Sequence, residues 1–518
     1  MEKIFILGNE QTKIWCSSIE ADFLTIPTLS LNDHSKIHDF VVNNIGLLNC
    51  EPRFIIDLDA ADPALALTIA MHIRLSASYI SDKALSPIVL VSSLPMVTFL
   101  TLGECSQFFL AREGYAFCAP ELVASAVYEV KGLSEANFKS DFLDVIRIRP
   151  DDTIGRHSLA NQWGADVLAR VAGLNYTPNK AILKARKTLY FKYILANCAQ
   201  SGFDIKETNC PLHIDAKGKR VLLIDDEADK GWEDCLRSIF NKCYKEDFDV
   251  VNTRISDYQN IPVGIRTKID NDQYDLYLLD LRLLGDEEDN KIMTKDFSGF
   301  RLLEHILKKN RGNQVIIMTA SNKAWNLKNL NLKGANGYYI KESPELMLPL
   351  EFSIENYKSF KDDVEKAFES KYKRDLYKQI DYLQKRIKKS KRLKLNNIAE
   401  ELSGILWRSF VPYMIKINSK QDFVAAYLIL YSIFELLKNS YKKEIKIKGD
   451  GIMTEIIDGI YTQIGKRDSI WSEIEELVNA RNYYIHPEKG RKPSKIIFCQ
   501  DGLMKLFDVV LKIINSLM

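Results

Sequence analysis

The chain has 518 residues, of which 46% are hydrophobic and 27% charged, with a formal net charge of +2. A chain of this length is too long for a single hydrophobic core, and the composition excludes disordered and fibrous proteins. The net charge excludes nucleic-acid binding through overall charge and leaves only local basic clusters for that role. Nine scattered cysteines, with no pairs at metal-ligand spacing, predict neither a zinc site nor disulfides and favour a reducing compartment.

Two further features bear on the compartment. The start, MEKIFILGNE, lacks the regions of a signal peptide, and the most apolar predicted helix, 423–434, is too short to span a bilayer. We therefore expect a soluble, cytoplasmic protein without a membrane partner.

Residues 1–125 contain four short apolar runs that return, in the same order, in the middle of the chain. These runs are EKIFILGNE, RFIIDLDA, PIVLVSS and GYAFCAPEL. They can be laid over KRVLLIDDE, LYLLDLRL, QVIIMTAS and GYYIKESPEL. A repeat of this kind predicts two copies of one α/β domain. An unrelated α/β domain at 1–125 is the alternative.

Residues 126–215 are predicted to form a helical connector. HSLANQWGADVLARVAGL places Leu159, Trp163 and Val167 at helical spacing. The stretch NKAILKARKTLYFKYILAN mixes basic and aromatic residues, a composition found in segments that bind RNA. A helix whose aromatic side chains lie in the core is the alternative.

Residues 216–350 carry four apolar runs that each end in a polar side chain. The runs end at Asp225 and Asp226, at Asp280, at Thr319 and at Lys341. Apolar runs separated by helical patterns predict a parallel α/β sheet, whose functional residues lie at the carboxyl ends of strands. Three carboxylates at one edge require a hard cation such as Mg²⁺, and a lysine and a hydroxyl beside them suit a phosphoryl group.

This pattern resembles the receiver domain of two-component response regulators over roughly 216–350. The resemblance implies a phosphoacceptor (Asp280), Mg²⁺ ligands (Asp225, Asp226 and Asp280), phosphoryl-binding groups (Thr319 and Lys341) and an aromatic switch residue (Tyr338). It also implies a histidine kinase or another phosphodonor as partner. A flavodoxin-like sheet with incidental acids is the alternative. Two features depart from the family: Glu342 replaces the usual proline, and an enlarged acidic loop follows Asp280.

The copy at 1–125 keeps the pattern but not the charges. Asp57 matches Asp280 in the overlay, whereas Gly8 and Asn9 replace the acidic pair and Cys118 replaces the lysine. We therefore expect a degenerate receiver-like domain that serves dimerisation or docking.

Residues 351–395 contain neither glycine nor proline and are rich in charge, which predicts one long exposed helix or a coiled-coil linker. The run KRIKKSKRLK at 385–394 has seven basic residues in ten and is the strongest electrostatic footprint for RNA in the chain. A solvated helix face is the alternative.

Residues 396–518 are predicted to form a set of helices. In SIWSEIEELVNARNYYIH, Arg481 lies on the apolar stripe, and Asn482 and His486 are four residues apart on one face. Pro487 ends the helix directly after the histidine, which predicts that the imidazole lies at the mouth of the domain.

An arginine followed by asparagine, with a histidine five residues after the arginine, resembles the signature of HEPN ribonucleases, which are small all-α domains. The resemblance implies metal-independent RNA cleavage by Arg481, Asn482 and His486, and a composite site formed by two chains. It also implies a role in phage defence or stress-induced growth arrest. An HEPN-like domain without catalysis is the alternative.

The predicted fold is thus two flavodoxin-like parallel-sheet domains, a helical connector and a C-terminal HEPN-like helical bundle. Two hypotheses for function follow. The first is a receiver-gated endoribonuclease that acts on RNA as a homodimer, with Mg²⁺ at the receiver and no cofactor for cleavage. The second is a non-catalytic two-component signalling or scaffold protein whose helices bind a partner. Specific DNA binding is not expected.

Overall fold

The structure is a computed structural model. It describes residues 2–26, 28–31, 33–60, 62–149, 156–174, 180–200, 213–253, 261–271, 273–283, 297–320, 334–343, 348–390, 398–417, 419–445 and 499–517.

The first half of the chain is built around a five-stranded parallel sheet. Its strands are β1 (Glu2–Gly8), β2 (Ala21–Thr25), β3 (Glu51–Asp57), β4 (Ile88–Val91) and β5 (Tyr115–Cys118). Their order across the sheet is β2-β1-β3-β4-β5. Every strand pair is parallel, so all carboxyl ends meet at one edge.

Five α-helices accompany the first sheet. They are α1 (Glu10–Trp15), α2 (His34–Val41), α3 (Pro63–Arg74), α4 (Ala77–Ile80) and α5 (Val123–Glu129). The sequence explains the start of α3: Asp62 caps it by accepting from the Ala64 N–H, and proline occupies the first helical position. From Ala64 to Arg74, every residue of α3 is buried.

The connector consists of α6 (Arg156–Val171), α7 (Lys180–Arg186) and α8 (Leu189–Gln200). Residues 161–169 of α6 are all buried, and their apolar side chains belong to one core that reaches from the first sheet to the second. Tyr190 and Phe191 of α8 lie in that same core. Packing therefore accounts for two aromatic residues of the basic–aromatic stretch.

The second sheet has the same strand order as the first. Its strands are β7 (Val221–Ile224), β9 (Phe248–Val251), β10 (Leu276–Asp280), β11 (Val315–Thr319) and β12 (Gly337–Ile340), arranged as β12-β11-β10-β7-β9. Counted along the chain, both sheets read 2-1-3-4-5. The helices α9 (Trp232–Ile239), α10 (Val263–Asp270) and α11 (Ser298–Lys309) accompany this sheet, and β6 (Ile214–Asp215) pairs with β8 (Phe240–Asn241) beside it.

The charged segment after the second sheet forms two helices instead of one. These are α12 (Leu350–Glu369) and α13 (Tyr372–Lys389). Tyr357, Phe360 and Val364 of α12 are buried in the core shared with the second sheet. Leu376, Ile380, Leu383 and Ile387 of α13 are buried in the C-terminal core. The segment is thus not the exposed single helix or coiled coil that its charge predicts, because an apolar residue on nearly every turn faces a core.

The C-terminal region is helical in all its described parts. Its helices are α14 (Ile398–Gly404), α15 (Val411–Ile415), α16 (Lys420–Ile445) and α17 (Gln500–Leu517), with a π-helical turn at Ile405–Phe410. A parallel-sheet α/β region followed by a helical region confirms the predicted class at this level. No single described helix is long and apolar enough to cross a membrane; the bent pair Pro63–Arg74 and Ala77–Leu85 would be, by length and composition alone.

Candidate functional site

The carboxyl edge of the second sheet collects the predicted polar residues. Asp225 directly follows β7, Asp280 ends β10, Thr319 ends β11, and Lys341 follows β12. These strands are neighbours in parallel register, with Leu279 opposite Ile224 and Asp280 opposite Met318. The sheet therefore brings together side chains that lie up to 116 positions apart.

Lys341 connects two of the carboxylates. Its Nζ donates to Asp225 Oδ2 at 2.6 Å and also to Asp280 Oδ2. Burial acts to lower the pKa of Lys341, but the carboxylates of Asp225 and Asp280 outweigh burial and raise the pKa above its ordinary value. Lys341 is therefore charged and only 1% exposed.

The three aspartates form a possible set of ligands for a metal ion. One carboxylate oxygen from each of Asp225, Asp226 and Asp280 lies within 4.8 Å of the others. Oxygen ligands of this kind are those that Mg²⁺ and Ca²⁺ prefer. With all three carboxylates ionised and Lys341 charged, the cluster sums to −2, and one divalent cation balances that charge. Burial raises the pKa of Asp225, against the lowering effect of Lys341, which reflects the cost of burying this charge. The residues present therefore fit a divalent cation.

The two other predicted members of the site lie on the neighbouring strands. Thr319 is fully buried, and its carbonyl accepts from the Lys341 backbone N–H at 2.9 Å. Tyr338 is 37% exposed, whereas the adjacent Tyr339, on the opposite face of β12, is 1% exposed. The ring predicted to act as a switch thus lies at the surface.

The structure adds a residue that the sequence did not indicate. Asn161, from the connector helix α6, accepts from Trp232 Nε1 at 2.8 Å and from Lys341 Nζ at 3.4 Å. It lies 180 positions before Lys341, and no spacing or motif connects the two. Trp232 opens α9, and its ring centre lies 5.1 Å from Lys341 Nζ.

Glu342, the departure from the receiver pattern, is buried beside this site. Burial raises the pKa of its carboxyl to about 7, against the hydrogen bonds from Ser353 and Asn356. The Ser353 hydroxyl of α12 donates to Glu342 Oε2 at 2.7 Å. The glutamate thus joins the end of β12 to α12.

The equivalent edge of the first sheet has a different chemistry. Asp57 ends β3 and is 1% exposed, but it accepts from the Thr12 hydroxyl, and within the described part of the chain no lysine or arginine pairs with it. Asn9 caps α1 by accepting from the Gln11 and Thr12 N–H groups. Burial raises the pKa of Cys118, in the position of the lysine, to about 11, so its thiol is uncharged.

Serines occupy part of this edge. Ser92, which the overlay matches to Thr319, donates to Asp59 at 2.6 Å, and the Ser93 hydroxyl donates to the same carboxylate at 2.7 Å. Asp59, not Asp57, is therefore the acceptor for these hydroxyls.

The predicted C-terminal motif lies outside the described residues. Arg481, Asn482 and His486 fall within 446–498, and the acidic loop residues 286–289 fall within 284–296. In the basic run, Lys385 pairs with Asp381, while residues 391–394 are again outside the described part.

No protein-family model matches this chain, and no curated protein matches it. The function of the site has to be inferred from its own geometry and charge.

Proposed function

We propose that this chain is a receiver-type signalling protein that binds Mg²⁺ and accepts a phosphoryl group on Asp280, and that it thereby controls a C-terminal ribonuclease domain. The observation that carries the first half is the cluster of two buried carboxylates, one half-buried carboxylate and a buried lysine at the edge of the second sheet. The 2-1-3-4-5 order of both sheets supports a flavodoxin-like assignment for each.

The proposed reaction is a phosphoryl transfer to a carboxylate. An oxygen of Asp280 forms a bond to phosphorus, the bond between phosphorus and the leaving group of the phosphodonor breaks, and the leaving group keeps the electron pair. Mg²⁺ held by Asp225, Asp226 and Asp280 would supply positive charge for the phosphoryl oxygens. Lys341 Nζ already contacts Asp280, so its charge lies beside the atom that would carry the phosphoryl group.

A path leads from the second sheet to the C-terminal helices. Arg374 of α13 donates to the Tyr274 carbonyl at 2.5 Å and pairs with Asp275 at 3.1 Å, just before β10. Asn310, after α11, donates to the Arg374 carbonyl at 3.1 Å. Helix α13 therefore contacts the amino-terminal end of β10, the strand whose carboxyl end carries Asp280.

The ribonuclease half of the proposal is carried by the sequence motif. An arginine can hold the charge of a phosphate, and a histidine can move a proton when the 2′-OH of RNA attacks the adjacent phosphate. In this proposal Arg481 and His486 take these roles, and Asn482 completes the motif. Resemblance to HEPN domains makes the active form a dimer with two copies of the motif.

An RNA-cleavage assay on the full chain tests the proposal. Cleavage in EDTA by wild type, lost in His486→Ala and in Arg481→Ala, is the expected result. Addition of Mg²⁺ and a small phosphodonor should change the rate for wild type but not for Asp280→Asn. If wild type and His486→Ala are equally inert with and without phosphodonor, the nuclease half falls, and the helical domain has to be treated as a partner-binding scaffold.

A further inference from the structure

One wall of the site comes from outside the second sheet domain. Helix α6 of the connector lies against the edge that carries Asp225, Asp280 and Lys341. Asn161 points its amide oxygen at Lys341 Nζ and Trp232 Nε1, and the residue is 3% exposed. A buried amide that bonds a buried ammonium is part of that cation's immediate surroundings.

Three positions of α6, spaced three residues apart, make this contact. The Ser158 hydroxyl donates to Glu227 Oε2 at 2.9 Å, one turn before Asn161. One turn after it, Gly164 lies so close to the second domain that a Cβ would come within 2.7 Å of the Glu342 carbonyl oxygen and 3.0 Å of the Trp232 ring. Residues at this spacing share one helix face, so α6 presents Ser158, Asn161 and Gly164 together.

Asn161 completes the hydrogen bonding of Lys341. An ammonium group has three N–H donors. Its acceptors here are Asp225, Asp280 and Asn161. With all three in place, the lysine is held in the position where it bridges the two aspartates that a divalent cation would also need.

We propose that Asn161 is a positioning residue of the second-sheet site: it holds Lys341 between Asp225 and Asp280, and so makes metal binding there depend on the docking of α6. This inference rests on the proposed function, since it assigns a regulator to the same site. Lysine and cation compete for the same two carboxylates, and Asn161 favours the lysine.

The expected consequence of removing Asn161 is a higher Mg²⁺ affinity, which a loss of stability alone would not produce. When Asn161 is removed, the bridging position of Lys341 loses one hydrogen bond to a charged group. We expect Asn161→Ala to bind Mg²⁺ about threefold to tenfold more tightly than wild type. Gly164→Ala, whose added Cβ pushes α6 away from Glu342, should shift the affinity in the same direction.

The test is a Mg²⁺ titration of the full chain, followed by tryptophan fluorescence. Trp232 lies against Lys341, and Trp232→Phe identifies its share of the signal. Wild type should bind saturably and Asp225→Asn should not; if wild type does not bind Mg²⁺, the proposed function and this inference both fall. The matched control is Asn197→Ala, a buried amide of α8 that donates to the Tyr193 carbonyl at 3.0 Å and should leave Mg²⁺ affinity unchanged.

The positioning role of Asn161 and the proposed function can be contradicted separately. If Asp225→Asn abolishes binding, but Asn161→Ala and Gly164→Ala bind Mg²⁺ as wild type does or more weakly, the positioning role is overturned and the proposed function stands. Should the variants not fold, hydrogen exchange on wild type decides. Saturating Mg²⁺ should reduce the protection of amides in 156–171 and leave 189–200 unchanged, and unaltered protection in 156–171 would overturn the inference.

Discussion

The two parallel sheets of this chain share one strand order and place a buried aspartate at the same point, the end of the third strand. Around Asp280 stand two further carboxylates and a buried lysine. Around Asp57 stand the Thr12 hydroxyl and the Asp59 backbone N–H. The shared strand order places an aspartate at the same position in both sheets. The residues around each aspartate determine whether the site has a net negative charge that a cation would balance.

The reason for the difference is local. Gly8 ends β1 and Asn9 follows it, whereas Asp225 and Asp226 both follow β7. A side chain at Gly8 would collide with Thr12, and Asn9 is engaged as the cap of α1. The turn after β1 is thus shaped for helix initiation and has no space for an acidic pair.

The largest expected effect comes from removing the buried cation of the second site. Lys341→Met leaves three carboxylates without their partner, and we expect a loss of about 3–5 kcal/mol in the free energy of unfolding in EDTA. Mg²⁺ should restore part of that loss, since it balances the same charge.

Cys118→Ala, at the equivalent end of β5, is the matched control, and its stability should be insensitive to Mg²⁺. Urea denaturation of both variants, with and without Mg²⁺, measures the difference. A Lys341→Met protein as stable as wild type in EDTA would show that the cluster is not charged as described.

The next effect is a difference between the two halves of the chain in how the free energy of unfolding depends on pH. Burial lowers the pKa of His38 in the first half to about 4, against an ordinary value of 6.5. The unfolded chain therefore binds more protons between these values, and stability falls as pH falls below 6.5. From pH 7.5 to 5 we expect a loss of about 1–2 kcal/mol in the free energy of unfolding. His38→Phe should reduce this loss. An equal acid dependence in wild type and His38→Phe would assign the effect to other groups, of which the buried and mutually contacting His72 and Lys192 are the first candidates.

The second half should show the opposite slope at higher pH. Glu342 titrates near pH 7 in the folded chain and near 4.5 in the unfolded chain. The folded chain therefore keeps the Glu342 proton to a higher pH than the unfolded chain does. This proton's contribution to the free energy of unfolding is lost as pH rises through 7. Between pH 6 and 8 we expect a loss of about 1 kcal/mol. Glu342→Gln, which keeps an acceptor for Ser353, should flatten the profile, and an unchanged slope would contradict the assignment.

The smallest effect tests the role of Asn9. Asn9→Ala removes the cap of α1 and should cost about 0.5–1 kcal/mol in thermal or urea unfolding. Asn9→Asp keeps a capping side chain and should be close to wild type. Neither variant should alter Mg²⁺ binding. A Mg²⁺ affinity that changes with Asn9 would place a cation at the first sheet and break the comparison.

Much of the fold could be read from the sequence because parallel strands are local apolar runs. The sequence places Asp225, Asp280, Thr319 and Lys341 at the ends of those runs, and parallel strands share one carboxyl edge. The Lys341 ammonium contacts Asp225 and Asp280 there, and Thr319 ends the strand between β10 and β12. Asn161 could not be predicted, because its position depends on how α6 packs between two domains and no sequence period records that packing. The break at Ser370 was missed for a similar reason: the high charge of 351–395 obscured two apolar stripes that face different cores.

The most direct test of the central claim is Mg²⁺-dependent phosphorylation by a small phosphodonor, with the modified residue located by mass spectrometry. Wild type should carry an acyl phosphate on Asp280, Asp57→Asn should behave as wild type, and Asp280→Asn should remain unmodified. Modification that requires Asp57, or that appears equally in Asp280→Asn, would contradict the division of roles between the two sheets.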